Sequence, residues 1–534
     1  MTESLRGEAI GDISRPAPLD RLLVRAAQRW PDQPFIWFDE TVWTFREVDA
    51  AAQRVAQALI SMGVRPGDRV GIWMSNRPEW VVAQFAVIRL GAVLVPLNTR
   101  LRTDDLAYAL SDCGARAVFT QAGGGFSYLD VLAEIGEAGL CPELRHVIVA
   151  NEESGAEYEE SWIGWSALDG LAAACEREPA PASNPDEAAF ILYTSGTTSA
   201  PKGAMLSHTN LNNAFNIAQN MRESDAVFVA YPLFAVTGCH NSVLAATIAG
   251  AGLVLQERFD PGEAIELIQR QGCAVYNGIT ATLRDIVEAP NFDPARLRTL
   301  RTASAFPRRM EHVPLFTQIG VETAGTGYGM TETAGPVTHA TDPVGCFSPG
   351  EGTPWPGNEL RILDGEGREV ASGEIGEIYV RSSQVMLGYH NNPEATRAAI
   401  NSDGWLRTRD MGYLTPEGAL VWVGRNDDVF KSSGFNVSAL EVEAFLAEHP
   451  KLAEVAVSGV PDERKGAVGA AFVIPRAGTT VSISDIEAYC RGRIASHKIP
   501  GHVVSLGEFP RTASGKVRKL ELRDRHFGAP SGAV

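Results

Sequence analysis

The sequence predicts an α/β protein: a large N-terminal domain of helix-covered parallel sheets plus a β-rich lobe, followed by a small α+β C-terminal domain. Three observations carry this. The chain has 534 residues, whereas one hydrophobic core stops growing at about 250–300 residues. Helical periodicities alternate with short apolar runs through the first half, as in parallel strands joined by crossover helices. The pattern then changes twice, first to β-prone runs between turns and then to a fresh strand–helix alternation.

Each element follows from local chemistry. Thr44-Phe45-Arg46-Glu47 has the form of a capping box, and Val48, Ala51, Val55, Leu59 and Ile60 continue it at helical spacing. Gly63 stops that helix, and residues 69–74 read as a buried strand. Residues 78–90 read as a helix with Pro78 tolerated in its first turn. Gly91 ends it, and residues 92–96 return as a strand. Residues 187–193 form a strand that runs into a Ser/Thr/Gly loop. Turn signals at Asp364-Gly365, Gly367 and Ser372-Gly373 separate β-prone runs at 359–362 and 377–380. The antiparallel lobe they define covers about 345–426. After Gly424-Arg425-Asn426-Asp427-Asp428 the chain restarts. Ser438-Ala439-Leu440-Glu441 repeats the capping-box pattern, strands follow near 454–459 and 467–475, and another helix starts near Ser484. The domains are therefore expected at 1–426 and 427–534.

Composition excludes several function classes. Hydrophobic residues make up 45% and charged residues 21%, as in soluble globular proteins. Lys plus Arg is 47 against 65 for Asp plus Glu, a formal charge of −18. That balance opposes nonspecific binding to nucleic acid or to anionic membranes. The 7 cysteines include no CxxC pair, so neither a disulfide framework nor a zinc site is expected and a cytoplasmic location fits. No basic stretch precedes an apolar run at the N-terminus, and no apolar run reaches the roughly 18 residues of a membrane span. Nothing in the sequence fixes the oligomeric state, and a homodimer is compatible with it.

Five segments carry chemistry. Tyr193-Thr194-Ser195-Gly196-Thr197-Thr198-Ser199-Ala200-Pro201-Lys202-Gly203 combines backbone freedom, hydroxyl donors and a cation, the parts of a phosphate cradle. It is not a Walker loop, because GxxxxGK[ST] is absent. In Gly327-Tyr328-Gly329-Met330-Thr331-Glu332-Thr333 a hydroxyl stands beside a carboxylate, which suits a phosphate and Mg²⁺. In Gly404-Trp405-Leu406-Arg407-Thr408-Arg409-Asp410 a carboxylate fixed after a strand could accept both ribose hydroxyls. Gly424–Asp428 with Lys431-Ser432-Ser433-Gly434-Phe435-Asn436-Val437 reads as a polar linker where a hinge must sit. In Pro510-Arg511-Thr512-Ala513-Ser514-Gly515-Lys516 a lysine follows a small, flexible loop. Each has an ordinary reading as well: a solvated turn, a capped loop, a turn aspartate, a linker and a basic tail.

The order and spacing of these segments resemble the adenylate-forming superfamily, the AMP-dependent synthetases and ligases that include acyl-CoA synthetases, peptide-synthetase adenylation domains and firefly luciferase. The resemblance spans most of the chain and implies a mobile C-terminal domain and the use of ATP, Mg²⁺ and coenzyme A. It implies that Thr194, Ser195, Gly196, Thr197, Thr198 and Lys202 grip the β- and γ-phosphates. Thr331 would contact the α-phosphate, Glu332 the magnesium, and Tyr328 the adenine side. Asp410 and Arg425 would bind the ribose. Lys516 would bridge the substrate carboxylate and the α-phosphate. Asp427 matches the hinge, and Ser433 and Gly434 belong to a segment that lines the pantetheine tunnel after domain rotation. The implied function is an acyl-CoA ligase that makes an acyl-adenylate and passes the acyl group to coenzyme A.

Several positions depart from the family pattern. Ala235 stands where many acyl-CoA synthetases carry His, and Ser304-Ala305-Phe306-Pro307 stands where Gly-Gly-Ala-Pro is common. Arg409 and Ser433 replace glycines, Ala439 and Thr280 replace prolines, and Ser199 replaces a further Gly. Side-chain bulk at a glycine position limits close backbone approach, so a thioesterification-only ligase fed a ready-made adenylate is one alternative. Transfer to a carrier protein, a luciferase-like oxygenase and a non-catalytic nucleotide-binding protein are others. The expected acyl pocket draws on Ala235, Val236, Cys239, His240, Phe306, Gly327, Gly329, Ala334 and Gly335, small or apolar groups that suit an apolar, bulky carboxylic acid. His240 reads as a hydrogen-bonded structural histidine before a pocket acid–base group.

Overall fold

The computed structural model describes residues 19–123, 126–152, 159–175, 177–179, 184–194, 201–306, 312–348, 350–425, 429–510 and 517–528. Within these, only the backbone is described at 423–425, 429, 431, 436, 438, 440, 444 and 520. The described chain falls into two compact units. One takes its residues from 1–99, 110–192 and 203–424, the other from 100–109, 193–202 and 425–534.

Two large sheets build the first unit. One has nine strands in the order Thr353–Pro354, Thr338–Pro343, Thr323–Thr326, Thr302–Phe306, Val275–Ile279, Ala226–Val229, Gly252–Val254, Pro34–Phe38 and Thr41–Thr44. Its centre is parallel and its edges are antiparallel. Every residue of Ala226–Val229 is buried, as a strand covered on both faces requires. The other sheet has eight strands, and its Arg69–Ile72 strand lies parallel between Val93–Pro96 and Ala115–Gln121.

The local signals explain the helices between them. The Thr44 hydroxyl accepts the Glu47 N–H at 3.3 Å, and the Glu47 carboxylate accepts the Thr44 N–H at 2.7 Å. The helix Phe45–Ser61 starts there. Pro78–Leu90 is helical over the predicted span and ends at Gly91 with φ 72°. Nearly all its side chains are buried, so it threads the core instead of lying on the surface.

The lobe is a four-stranded sheet in the order Glu359–Leu363, Gly376–Arg381, Leu406–Leu414 and Leu420–Arg425, with its first two pairings antiparallel. It starts later than the sequence suggests, because Thr353–Pro354 pairs with the nine-stranded sheet instead. Tyr328, Val337, Ile362, Ile378, Val380 and Leu420 form its core.

In the second unit, Val429–Ser432, Phe435–Ser438, Leu452–Asp462, Gly466–Pro475 and His502–Ser505 form a five-stranded sheet. The helix Ala439–Ala447 starts where the second capping box was read. The Ser438 side chain lies outside the described residues, and the Glu441 carboxylate pairs with Lys498. Ser482 and Asp485 form a capping box that opens Ile483–Cys490. No disulfide forms among the seven cysteines. No helix among the described residues is long and apolar enough to cross a membrane.

One buried histidine makes the fold sensitive to acid. His208 is 4% exposed, and its Nδ1 accepts the Leu19 N–H at 3.1 Å. Burial pushes its imidazole from 6.5 down to about 4. A folded pKa below the unfolded one means that the unfolded chain takes the proton first as pH falls. The stability is complete above pH 6.5 and is lost as pH drops toward 4, by about 3 kcal/mol for this one group. Thermal unfolding midpoints should therefore fall across that window, and His208→Gln should flatten part of the slope.

Candidate active site

The site begins where the last parallel strand of the nine-stranded sheet, Thr323–Thr326, runs out. Gly329–Met330 and Gly335–Pro336 form a tight antiparallel pair around the one-turn helix Thr331–Thr333. A Cβ on Gly329 would collide with the Gly335 carbonyl, and one on Gly327 with the Thr338 carbonyl. These two glycines, read from the sequence as pocket liners, are required by backbone-to-backbone approach.

The turn aims Tyr328 at the lobe. Its hydroxyl donates to Asp410 Oδ2 at 2.8 Å, and both residues are buried. Its N–H donates to Thr338 Oγ1 at 2.8 Å. Asp410 does not follow a strand, as the sequence suggested, but sits inside Leu406–Leu414. The register with the neighbouring strand shifts between Glu377 and Tyr379, and Arg409 adopts φ 62°. The Asp410 N–H donates to Thr408 Oγ1 at 3.1 Å, and that hydroxyl donates to the Ile378 carbonyl at 2.7 Å. Arg409 thus holds a left-handed backbone, the region that favours glycine, at a cost of order 1 kcal/mol. Ser433 does the same with φ 52°, next to Gly434 at φ 82°.

Glu332 is 6% exposed. Its Oε1 accepts the Tyr389 hydroxyl at 2.9 Å, and its carbonyl accepts the Met386 N–H at 2.8 Å. Tyr389 comes from the edge strand Gly388–Tyr389, which pairs with Lys202–Ser207. Among the described residues no three His, Cys, Asp or Glu side chains gather around one point. A lone carboxylate still fits Mg²⁺, which commonly takes one or two carboxylates and fills its shell with substrate phosphate and water.

Thr194 Oγ1 donates to the Lys202 carbonyl at 3.4 Å, across the base of the phosphate-cradle segment. Ser195, Gly196, Thr197 and Thr198 lie outside the described residues, as do Asp427 and Lys516. Arg425 ends its strand, but its side chain is not among those described.

A small cavity of about 40 Å³, partly open to solvent, lies by the carboxyl ends of the parallel strands. In open α/β sheets ligands bind at that end. Tyr231 follows Ala226–Val229, Asn277 lies on Val275–Ile279, Ser304 and Phe306 lie on Thr302–Phe306, and Thr326 closes its strand; all five line the cavity. Ile217, Pro336 and Trp355 add apolar wall, and Asn220, Asn241 and His339 add polar groups.

Of the acyl-pocket residues named from the sequence, Phe306 is part of this lining. Ala235, Val236, Gly327, Gly329 and Gly335 are not. His240 is wholly buried, with Nδ1 2.7 Å from Asn241 Oδ1 and Nε2 2.8 Å from the Leu211 carbonyl. Burial lowers its pKa. It acts as a structural group that holds Asn241, and Asn241 is what reaches the cavity. Asn277 and Thr326, which also line it, were not singled out in the sequence.

Gly329→Ala should destabilise the protein by about 1–3 kcal/mol through overpacking, read as a lowered unfolding midpoint.

The comparisons with known proteins agree with this geometry. Residues 23–390 match the model of the AMP-binding enzyme family, and residues 441–516 match its C-terminal domain. A methyl-dioxo-octahydro-indenyl-propanoyl:CoA ligase of Mycobacterium tuberculosis is 35% identical, over 95% of this chain and 98% of its own. An indoleacetate–CoA ligase of Aromatoleum aromaticum is 34% identical, over 95% and 97%. A solved double mutant of o-succinylbenzoate CoA synthetase from Bacillus subtilis, bound with a product analogue, superposes with TM-score 0.80 at 29% identity, over 94% of this chain and 98% of its own. The chain belongs to the AMP-binding enzyme family, the adenylate-forming superfamily that its sequence resembles, and it is an acid–thiol ligase of the acyl-CoA synthetase kind.

Proposed function

We propose that the protein activates a ring-bearing carboxylic acid as its acyl-adenylate with ATP and then transfers the acyl group to coenzyme A. The observation that carries this is the buried Tyr328–Asp410 pair within a chain whose family matches both domains. The ring follows from the relatives, whose names give indenyl-propanoyl, indoleacetate and feruloyl groups, and from a cavity bounded by Phe306 and Trp355.

The substrate carboxylate attacks the α-phosphorus of ATP, a C–O–P linkage forms, and pyrophosphate leaves. The carboxylate is already ionised, so no general base is needed. Negative charge builds on the α-phosphoryl oxygens, where Thr331 and Lys516 stabilise it as preorganised donors. Thr194, Ser195, Gly196, Thr197, Thr198 and Lys202 hold the departing phosphates, and Asp410 with Arg425 holds the ribose. Glu332 would hold Mg²⁺, which offsets phosphate charge when bound. The coenzyme A thiolate then attacks the acyl carbon, and AMP leaves.

The proposal includes domains at 1–426 and 427–534 with Asp427 as the hinge, and Ser433 and Gly434 in the second half-reaction. It includes a cytoplasmic setting, in keeping with seven cysteines that form no disulfide. Arg409 and Ser433 keep glycine-like backbone, which favours a ligase competent in both half-reactions over one limited to thioesterification.

ATP–pyrophosphate exchange over a panel of ring-bearing acids tests the reading. Exchange should depend on the acid, and Lys516→Ala should cut it by at least about 100-fold, with a much smaller loss in thioester formation from supplied adenylate. Exchange in no acid would refute the adenylating ligase. Asp427→Pro should instead harm thioester formation more than exchange, and equal losses would remove the hinge assignment.

A further inference from the structure

Residues 384–390 hold the Glu332 turn by both its backbone and its side chain. Gln384 is 4% exposed. Its Nε2 donates to the Thr333 carbonyl at 3.2 Å and to the Pro336 carbonyl at 3.0 Å. The Met386 N–H donates to the Glu332 carbonyl at 2.8 Å, and the Tyr389 hydroxyl donates to Glu332 Oε1 at 2.9 Å. The stretch is itself pinned. The Leu387 N–H donates to the Met205 carbonyl at 2.9 Å and the His390 N–H to the Gly203 carbonyl at 2.7 Å, both on the strand Lys202–Ser207. The Tyr389 N–H donates to Thr396 Oγ1 at 2.9 Å. A Cβ on Gly388, whose φ is 142°, would lie 2.7 Å from the Thr396 side chain. The Tyr389 backbone is thus fixed before its hydroxyl reaches Glu332.

The contacts to backbone carbonyls account for the shape of the turn. The Tyr389 hydroxyl does something else, because it holds the carboxylate. Glu332 is 6% exposed. A neutral phenol orients a buried carboxylate without offsetting its charge, and buried charges are paired or coordinate metals. Mg²⁺ demands near-octahedral geometry and takes one or two carboxylates beside substrate phosphate. A carboxylate free to swing about its side-chain torsions meets that demand poorly. Metal-ligating carboxylates are in turn hydrogen-bonded, and loss of such a partner costs about 10–100-fold in metal affinity or activity.

We propose that Tyr389 is a positioning residue for Mg²⁺: its hydroxyl fixes the Glu332 carboxylate in the orientation that receives the cation of Mg–ATP. The assignment rests on the reading of Glu332 as the metal ligand. It makes the edge strand Gly388–Tyr389 the link between that carboxylate and the strand that leaves the phosphate-cradle segment.

The test is the affinity for Mn²⁺ in the presence of α,β-methylene-ATP, which cannot form an adenylate. Electron paramagnetic resonance reads the bound ion in the full chain, in Tyr389→Phe and in Glu332→Gln. Tyr389→Phe keeps the ring and removes only the donor, so the dissociation constant should rise about tenfold or more. Glu332→Gln should raise it at least as much. The constant is read from the titration midpoint, so an unfolded fraction lowers the amplitude and leaves the value. Excess Mg²⁺ should restore ATP–pyrophosphate exchange in Tyr389→Phe, whereas damage to the fold would not respond to metal. An unchanged Mn²⁺ midpoint in Tyr389→Phe, or a loss of exchange that Mg²⁺ does not restore, overturns the assignment. An unchanged midpoint in Glu332→Gln as well sinks the metal-ligand reading, while acid-dependent exchange in the unaltered protein still upholds the ligase.

Discussion

The hydrogen bond from the Tyr328 hydroxyl to Asp410 is the constraint on which the rest of the site depends. Tyr328 leaves the last parallel strand of the nine-stranded sheet, and Asp410 stands within the lobe's Leu406–Leu414 strand. A buried hydrogen bond to a carboxylate is worth about 1.5–3 kcal/mol, and leaving either partner unpaired costs comparably. The bond therefore fixes how the Gly329–Pro336 turn, with Thr331 and Glu332, faces the lobe. Tyr328 also packs in the lobe core with Val337, Ile362 and Ile378, so the polar link and the apolar contact hold the same geometry.

Two devices around that bond trade backbone freedom for position. Gly327 and Gly329 allow carbonyls to approach where no Cβ fits. Arg409 goes the other way, accepting a left-handed conformation at a bulge to keep Asp410 turned inward. Bulges next to functional groups commonly re-aim a side chain. The strain is tolerable because Thr408 and the Ile378 carbonyl hold the strand on the near side of Arg409. The parallel sheet does the complementary work, gathering Tyr231, Asn277, Ser304 and Thr326 from four separate strand–loop units into one cavity.

Much of the fold was legible because its signals are local. The Thr44–Glu47 capping box and the stop at Gly91 depend on neighbours a few residues away, and both stand as read. Asp410 and Glu332 were legible as chemical groups, but their partners were not. Tyr389 is far from Glu332 in sequence and meets it through an edge strand that pairs with Lys202–Ser207. Of the acyl-pocket residues read from the sequence, only Phe306 lines the cavity at the strand ends, whose other walls come from separate crossover units. A parallel sheet brings together residues about 20–50 positions apart, one crossover unit per step. His240 has both ring nitrogens in hydrogen bonds, and its contact with Asn241 emerges only from the packed π-helix of Cys239–Leu244.

The most direct test of the account is ATP affinity in Tyr328→Phe, measured by titration calorimetry beside the unaltered protein. The substitution keeps the ring and removes only the hydroxyl that orients Asp410. If that bond sets the nucleotide side of the site, the dissociation constant should rise about tenfold with little change in unfolding midpoint beyond the lost bond. Unchanged ATP affinity in a folded variant would contradict it.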